Sequence, residues 1–153
     1  MLRLTGFEFV VRLIPEAFVI IFAMITLSNV KLNAKRYIIS SLLLATCEYY
    51  IRMLPINYGV PTILDIFVII VITYYINKID IVLGIKASLI TTIALFICEG
   101  INVLLLSLIF KDTLNGIMEN TILKTIYGFP SLILFTIITI TYYLLNSRKV
   151  EYV

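Results

Sequence analysis

The chain has 153 residues, of which 61% are hydrophobic and 14% are charged, and its formal net charge is +3. A typical soluble domain is about 45–50% apolar and about 25% charged, so this composition excludes an ordinary water-soluble domain. The Lys and Arg residues are spread over the connectors and the ends of apolar segments instead of forming one basic face, which argues against nucleic-acid binding. The composition therefore predicts a protein whose partner is the lipid bilayer.

Five apolar segments follow one another along the chain. A membrane helix needs about 20 mostly apolar residues to cross a hydrocarbon core about 30 Å thick, and its backbone polar groups must be bonded within the segment. The predicted spans are 7–28, 37–54, 62–76, 87–110 and 125–145. The connectors leave no room for a soluble domain, so we expect residues 1–153 to form a single membrane domain, an all-α polytopic bundle of transmembrane helices.

Positive charge predicts the orientation of this bundle, because Lys and Arg are enriched on the cytoplasmic side of membrane proteins. In a five-span topology one side holds Lys31, Lys35, Arg36, Lys78, Lys86, Arg148 and Lys149. The other side holds Arg3, Lys111 and Lys124. We therefore expect an N-terminus outside and a C-terminus inside, in a bacterial cell membrane. Charged and apolar residues alternate over 78–86 and 111–124, which predicts segments that lie at the membrane interface.

Ionisable residues inside the predicted spans are the most informative feature. They are Arg12, Glu16, Glu48, Arg52, Asp65 and Glu99. A charge at the centre of a membrane helix costs about 2.5–3.5 kcal/mol on insertion scales, so such residues usually face the bundle interior and often mark a binding site or pathway. In the predicted orientation they gather in the outer half of the membrane, with Glu99 near its middle.

The spacing of these charges places them on common stripes. Residues four apart lie on one helix face, which aligns Glu8, Arg12 and Glu16 on the first predicted helix. The same spacing aligns Glu48 with Arg52 on the second. A proline at position 15 removes a backbone donor within the first stripe and can open the helix there.

Three interpretations of this charge network remain open. The arginines can neutralise carboxylates and hold the helices together through ion pairs, with no ligand bound. Alternatively, because four acids face two arginines in the predicted spans, the surplus acids need a proton, a metal cation or an amine-bearing ligand that enters from outside. Contacts with another subunit, including a second copy of the chain in a homo-oligomer, are the third interpretation.

Motifs for catalysis and for cofactors are missing. The chain has no His, which removes histidine-dependent metalloprotease motifs and Cys–His nucleophile pairs. It also lacks the Gly-x-Ser-x-Gly elbow, the phosphate-binding loop and the dinucleotide fingerprint. We therefore predict a protein that is not an enzyme, with no cofactor and no metal site.

The run EYYIRMLPINYGVPTIL at 48–64, followed by KIDIVLGIK at 78–86, resembles a pattern in two groups of proteins. These are small clostridial integral membrane proteins and the membrane sensor region of peptide-quorum histidine kinases of the accessory-gene-regulator type. The resemblance rests on hydropathy and an Arg-x-Leu-Pro turn. It implies recognition of an extracellular peptide by the helix bundle and transmission to a cytoplasmic domain. Since no kinase core follows the last predicted helix, we expect signalling to require a separate partner.

These observations predict a non-enzymatic membrane sensor or accessory signalling module with an outward-facing acidic pocket inside the membrane. An extracellular peptide or cation would bind there, and a cytoplasmic or membrane signalling partner would receive the response through the tail at 146–153. A small transporter or channel component for a cation or amine-bearing solute is the alternative, since buried carboxylates also line solute pathways. A structural membrane subunit is the third reading.

Overall fold

The computed structural model describes residues 9–55, 59–110 and 121–150. Within these ranges the regular structure is entirely helical, with no strand, which confirms the all-α prediction. Helix α1 begins with a π-helical segment, Phe9–Leu13, and continues as an α-helix over Ile14–Leu27. The remaining helices are α2 (Ala34–Met53), α3 (Val60–Tyr75), α4 (Ile81–Ile109) and α5 (Thr121–Val150).

Helix α5 extends past its predicted span at both ends, and the fourth helix shows the largest shift of a single boundary. It begins at Ile81, six residues before the predicted start at position 87. The backbone N–H of Gly84 donates to the carbonyl of Asp80 at 2.7 Å and closes the first helical turn, and Asp is a favoured residue at this capping position. Most of the predicted interfacial segment 78–86 is therefore the first part of α4. In the second such segment, residues 111–120 lie outside the described ranges.

The connector between α1 and α2 is fixed by a tight helix end. The N–H groups of Asn29 and Val30 donate to the carbonyls of Thr26 and Ile25, each at 3.3 Å. Asn29 has a φ of 52°, the left-handed conformation that commonly ends helices and that Asn tolerates better than most residues. The side chain of Asn33 then accepts a hydrogen bond from the backbone N–H of Lys35 at 3.2 Å and caps the start of α2.

Three segments of the described chain are long and apolar enough to cross a membrane: Val10–Leu27, Ile81–Ile109 and Thr125–Asn146. Their length and composition support the prediction of a membrane protein. The other two helices differ from them for separate reasons. Helix α3 has 16 residues and is only about 24 Å long, whereas α2 carries Lys35, Arg36, Glu48 and Arg52.

The chain divides into two units, Met1–Thr92 and Ile93–Val153. In the first unit α1 packs against α2, and α2 packs against α3. Buried aliphatic side chains form the core of this unit, among them Leu13, Ala17, Ile21, Met24 and Leu44. This packing brings together the start of α1, the end of α2 and the start of α3, where five of the six predicted site residues lie.

In the second unit, a proline inside α5 accounts for a buried polar contact. Pro130 has no N–H to donate and disturbs the backbone hydrogen bonds of the preceding turn. The side-chain amide of Asn102 on α4 donates to the carbonyl of Tyr127 in that turn at 2.7 Å. The ring of Tyr127 also meets that of Phe110 edge-on, with centroids 5.4 Å apart. These contacts hold the end of α4 against the first part of α5.

Candidate functional site

The candidate site is the charged end of the first unit, which we define as Arg12 and Glu16 on α1, Glu48 and Arg52 on α2, and Asp65 on α3. Each helix contributes its residues within about two turns of the end that faces the cluster. Glu16 and Glu48 are buried and Asp65 is half-buried, while the two arginines keep part of their side chains exposed. The result is a group of ionisable side chains in an otherwise apolar bundle.

Glu16 is the centre of the ion pairing. Its Oε1 accepts a hydrogen bond from Nη2 of Arg52 at 3.2 Å. Its Oε2 lies 3.8 Å from Nε of Arg12, a distance that permits an ion pair but is too long for a hydrogen bond. The Glu16 side chain is 6% exposed, against 27% for Arg12 and 28% for Arg52. One buried carboxylate is therefore matched by two guanidinium groups that reach toward solvent or headgroups.

All three carboxylates of the charged end have one buried oxygen that accepts no hydrogen bond, and only in Glu16 does that oxygen have an ion pair, with Arg12 at 3.8 Å. Glu48 is 2% exposed, and its Oε2 accepts no hydrogen bond. Oδ1 of Asp65 is likewise buried and accepts none. Burying a carboxylate oxygen without a donor is costly, so these two atoms need an explanation that packing alone does not provide.

The charges of this cluster also fail to balance. Glu48 interacts electrostatically with Glu16 and Asp65, which repel it, and with Arg52, which attracts it. Asp65 is likewise attracted by Arg52 and repelled by Glu16. With three carboxylates and two arginines, full ionisation leaves one surplus negative charge. A proton or a cation would restore the balance.

The backbone of α1 changes its hydrogen bonding beside this cluster. Arg12 lies in the π-helical segment Phe9–Leu13, and Pro15 follows at the start of the α-helix. Because Pro15 has no N–H, one backbone carbonyl in the preceding turn loses its usual donor. The helix nevertheless continues through Pro15, so the predicted opening of the helix at this residue stays a prediction. π-Helical turns occur frequently at functional sites.

The structure brings together five of the six predicted site residues. The Arg12–Glu16 contact follows the predicted four-residue spacing. Arg52, which shares a stripe with Glu48, instead donates across to Glu16 on the neighbouring helix. Glu99 is a half-buried residue of α4 in the second unit. Glu8, which the spacing adds to the first stripe, lies outside the described residues.

Two hydrogen bonds that join α2 to its neighbours in the first unit, one to α1 and one to the turn after α3, were not predicted from the sequence, and we call them the neutral contacts. In one, the Tyr37 hydroxyl donates to the carbonyl of Phe18 at 2.9 Å, with the two rings edge-on. In the other, the buried side-chain amide of Asn77 donates to Oγ of Ser40 at 3.3 Å. An Asn directly after the apolar run of α3 was the available signal for the second contact. The Tyr37 contact had none, because its acceptor is a backbone carbonyl.

Within the described ranges, no three or more Cys, Asp or Glu side chains are grouped so that they could hold a metal ion. The charged end is thus a cluster in which carboxylates on three helices influence one another without forming a common coordination sphere. Comparisons with protein-family models, with curated proteins and with solved structures find no match.

Proposed function

We propose that this chain is a non-enzymatic sensor or accessory signalling module of the bacterial cell membrane. In this proposal all five helices cross the bilayer, with the N-terminus outside and the C-terminus inside. Helices α2 and α3 then cross as part of the bundle, where their shorter or more charged segments are shielded from lipid by their neighbours. The charged end lies in the outer half of the membrane and receives an extracellular peptide or cation.

The observation that carries this proposal is the imbalance at the charged end. Two arginines already neutralise Glu16, and this arrangement is sufficient to join α1 to α2. Glu48 and Asp65 add buried acceptors that no described donor satisfies. The second arginine offsets the charge of one of these acids, so one negative charge is left over, and a binding site for one positively charged group would use it.

Binding would act by changing the relative stability of two packing arrangements of α1, α2 and α3. A ligand shifts such an equilibrium only as far as its affinities for the two states differ. A cation that neutralises Glu48 and Asp65 favours the closely packed state, because it removes their mutual repulsion. The tail at 146–153 would pass the change to a cytoplasmic partner, as the resemblance to peptide-quorum sensors implies.

Hydrogen–deuterium exchange of the protein in lipid nanodiscs tests this proposal. The probes are three peptides of equal length that differ only in charge: basic, neutral and acidic. We expect the basic peptide to slow amide exchange in α1–α3 when added from outside. Equal protection by the acidic peptide, or no protection by any of them, would contradict the proposal.

A transporter or channel component is the second candidate, and the π-helical segment beside Pro15 favours it. Interrupted helices next to buried carboxylates also form solute pathways. Uptake of the basic peptide or of a radiolabelled amine into proteoliposomes separates the two candidates, because a sensor binds without net flux. A structural subunit, the third candidate, predicts neither binding nor flux.

A further inference from the structure

We propose that the charged end binds a single compact ammonium or guanidinium group, held between Glu48 on α2 and Asp65 on α3. This inference rests on the proposed function and deepens it, because it names the chemical group that the site recognises. The group is the side chain of a basic residue in a peptide, or a small free amine of the same chemistry. Glu16 is not one of the two carboxylates that hold the ligand, because Arg52 donates to its Oε1 and Arg12 lies 3.8 Å from its Oε2, although that Oε2 also accepts no hydrogen bond.

The unsatisfied atoms determine what the ligand must offer. Oε2 of Glu48 and Oδ1 of Asp65 are both buried acceptors without a donor, so the ligand must donate hydrogen bonds as well as carry positive charge. An ammonium group has three N–H donors, and a guanidinium group has five in a planar fork. A quaternary amine has charge but no N–H, and it would leave both oxygens unsatisfied.

The position of the two acceptors on different helices favours an organic cation over a metal ion. A metal ion needs several oxygen ligands within one coordination sphere at about 2.0–2.6 Å. The described carboxylates form no such group, although Glu48 and Asp65 lie close enough to interact electrostatically. A group with several N–H donors pointing in different directions can donate to carboxylates on two helices without needing a third carboxylate.

Burial and charge limit the ligand to one compact group. The Glu48 side chain is almost fully buried, so a bulky group cannot reach it without separating the helices. The cluster carries one surplus negative charge when its acids are ionised, since three carboxylates face two arginines. A single positive charge therefore completes it, and bridging from α2 to α3 couples occupancy of the site to the packing of these helices.

Hydrogen–deuterium exchange with four small cations tests the inference on the full chain in nanodiscs. The probes are methylammonium, guanidinium, tetramethylammonium and sodium, all as chloride salts at matched ionic strength. We expect the first two to slow exchange in α2 and α3, and the last two to have no effect beyond that of ionic strength. Protection by tetramethylammonium or sodium equal to that by methylammonium would overturn the inference, since the site would then recognise charge alone.

Three variants test whether the slowing of amide exchange by methylammonium depends on Glu48 and Asp65. Glu48→Gln and Asp65→Asn should each weaken the methylammonium response about tenfold, which corresponds to the loss of one charge-assisted hydrogen bond. Asp80→Asn is the matched control, because it removes an exposed carboxylate outside the cluster and should leave the response unchanged. Equal weakening by all three variants would overturn the inference.

The same samples distinguish failure of the inference from failure of the proposed function. If the basic peptide protects α1–α3 but methylammonium and guanidinium do not, the inference is wrong and extracellular sensing survives. If the small cations protect α2 and α3 but the basic peptide does not, the ammonium site stands and the peptide-sensing proposal is wrong. Glu48→Gln samples that resemble the wild type in circular dichroism exclude misfolding as the cause of a lost response.

Discussion

The charged end and the neutral contacts join the same three helices by different means. In the neutral contacts one donor meets one acceptor: the Tyr37 hydroxyl meets a backbone carbonyl, and the Asn77 amide meets the Ser40 hydroxyl. At the charged end, two arginines converge on Glu16, while Glu48 and Asp65 retain acceptors without donors. Uncharged hydrogen bonds are therefore enough to join the helices of this unit. Packing alone does not explain why Glu48 and Asp65 are present.

Removing the central carboxylate should have the largest effect on stability. Glu16→Gln leaves the guanidinium groups of Arg12 and Arg52 without their shared anion. Breaking a fully buried ion pair costs about 3–5 kcal/mol. Because both arginines are partly exposed, we expect a loss of about 2 kcal/mol in the free energy of unfolding. Chemical denaturation in detergent micelles measures it, with the exposed Asp80→Asn as control. A loss equal to that of the control would mean that the pair contributes nothing to packing.

The tyrosine contact should have the next largest effect. Tyr37→Phe keeps the edge-on ring packing with Phe18 and removes only the hydroxyl that donates to its carbonyl. A typical intramolecular hydrogen bond contributes about 1 kcal/mol, so we expect a destabilisation of that size. Tyr75→Phe, at a position that is 75% exposed, is the control and should change little. If the two variants unfold at the same denaturant concentration, the contact does not join α1 to α2.

The serine contact should contribute less, because its donor–acceptor distance is longer. Ser40→Ala removes the acceptor of the buried Asn77 amide, which lies 3.3 Å away, and we expect a loss of about 0.5–1 kcal/mol. Ser107→Ala is the control, since that exposed hydroxyl donates to the Leu104 carbonyl of its own helix. If Ser107→Ala lowers the free energy of unfolding more than Ser40→Ala does, the Asn77–Ser40 hydrogen bond does not stabilise the packing of this unit.

The surplus acids should have the smallest effect, and with the opposite sign. Glu48→Gln removes a buried negative charge that Glu16 and Asp65 repel and that Arg52 attracts, so the ligand-free protein should become more stable by less than about 0.5 kcal/mol. Functional sites commonly reduce stability in this way. Thermal unfolding without added amine measures whether Glu48→Gln raises or lowers the stability of the protein. A loss as large as that of Glu16→Gln would show that Glu48 belongs to a structural staple.

The fold was predictable to the extent that apolar runs identify helices. Each of the five predicted spans overlaps one observed helix. The alternation of charged and apolar residues over 78–86 predicts an interfacial segment, whereas only Gly84 between Asp80 and Lys86 disfavours a helix, and the packing of α4 overrides it. Helix α2 differs from the three apolar spans in its polar and charged residues, and α3 differs from them in its length.

The residues that form the charged end were predictable for a different reason. The four-residue spacing of Arg12 and Glu16 fixes their shared face, and short connectors bring neighbouring helix ends together. The spacing does not say which arginine meets which acid across helices. That Arg52 donates to Glu16 and leaves Oε2 of Glu48 without a donor depends on the rotation of α2 against α1, which many combinations of buried side chains determine.

Cysteine accessibility in intact cells tests the central claim, an acidic cluster that faces outward, most directly. Single cysteines replace Asn57, Asn115 or Ser147 in a background where the native Cys47 and Cys98 are changed to Ser. The structure does not describe Asn57, Asn115 or the side chain of Ser147. The labelling experiment therefore tests the orientation independently of the structure. The account predicts labelling by an impermeant maleimide at positions 57 and 115 but not at 147. Labelling at 147 alone would place the charged end toward the cytoplasm and contradict extracellular sensing.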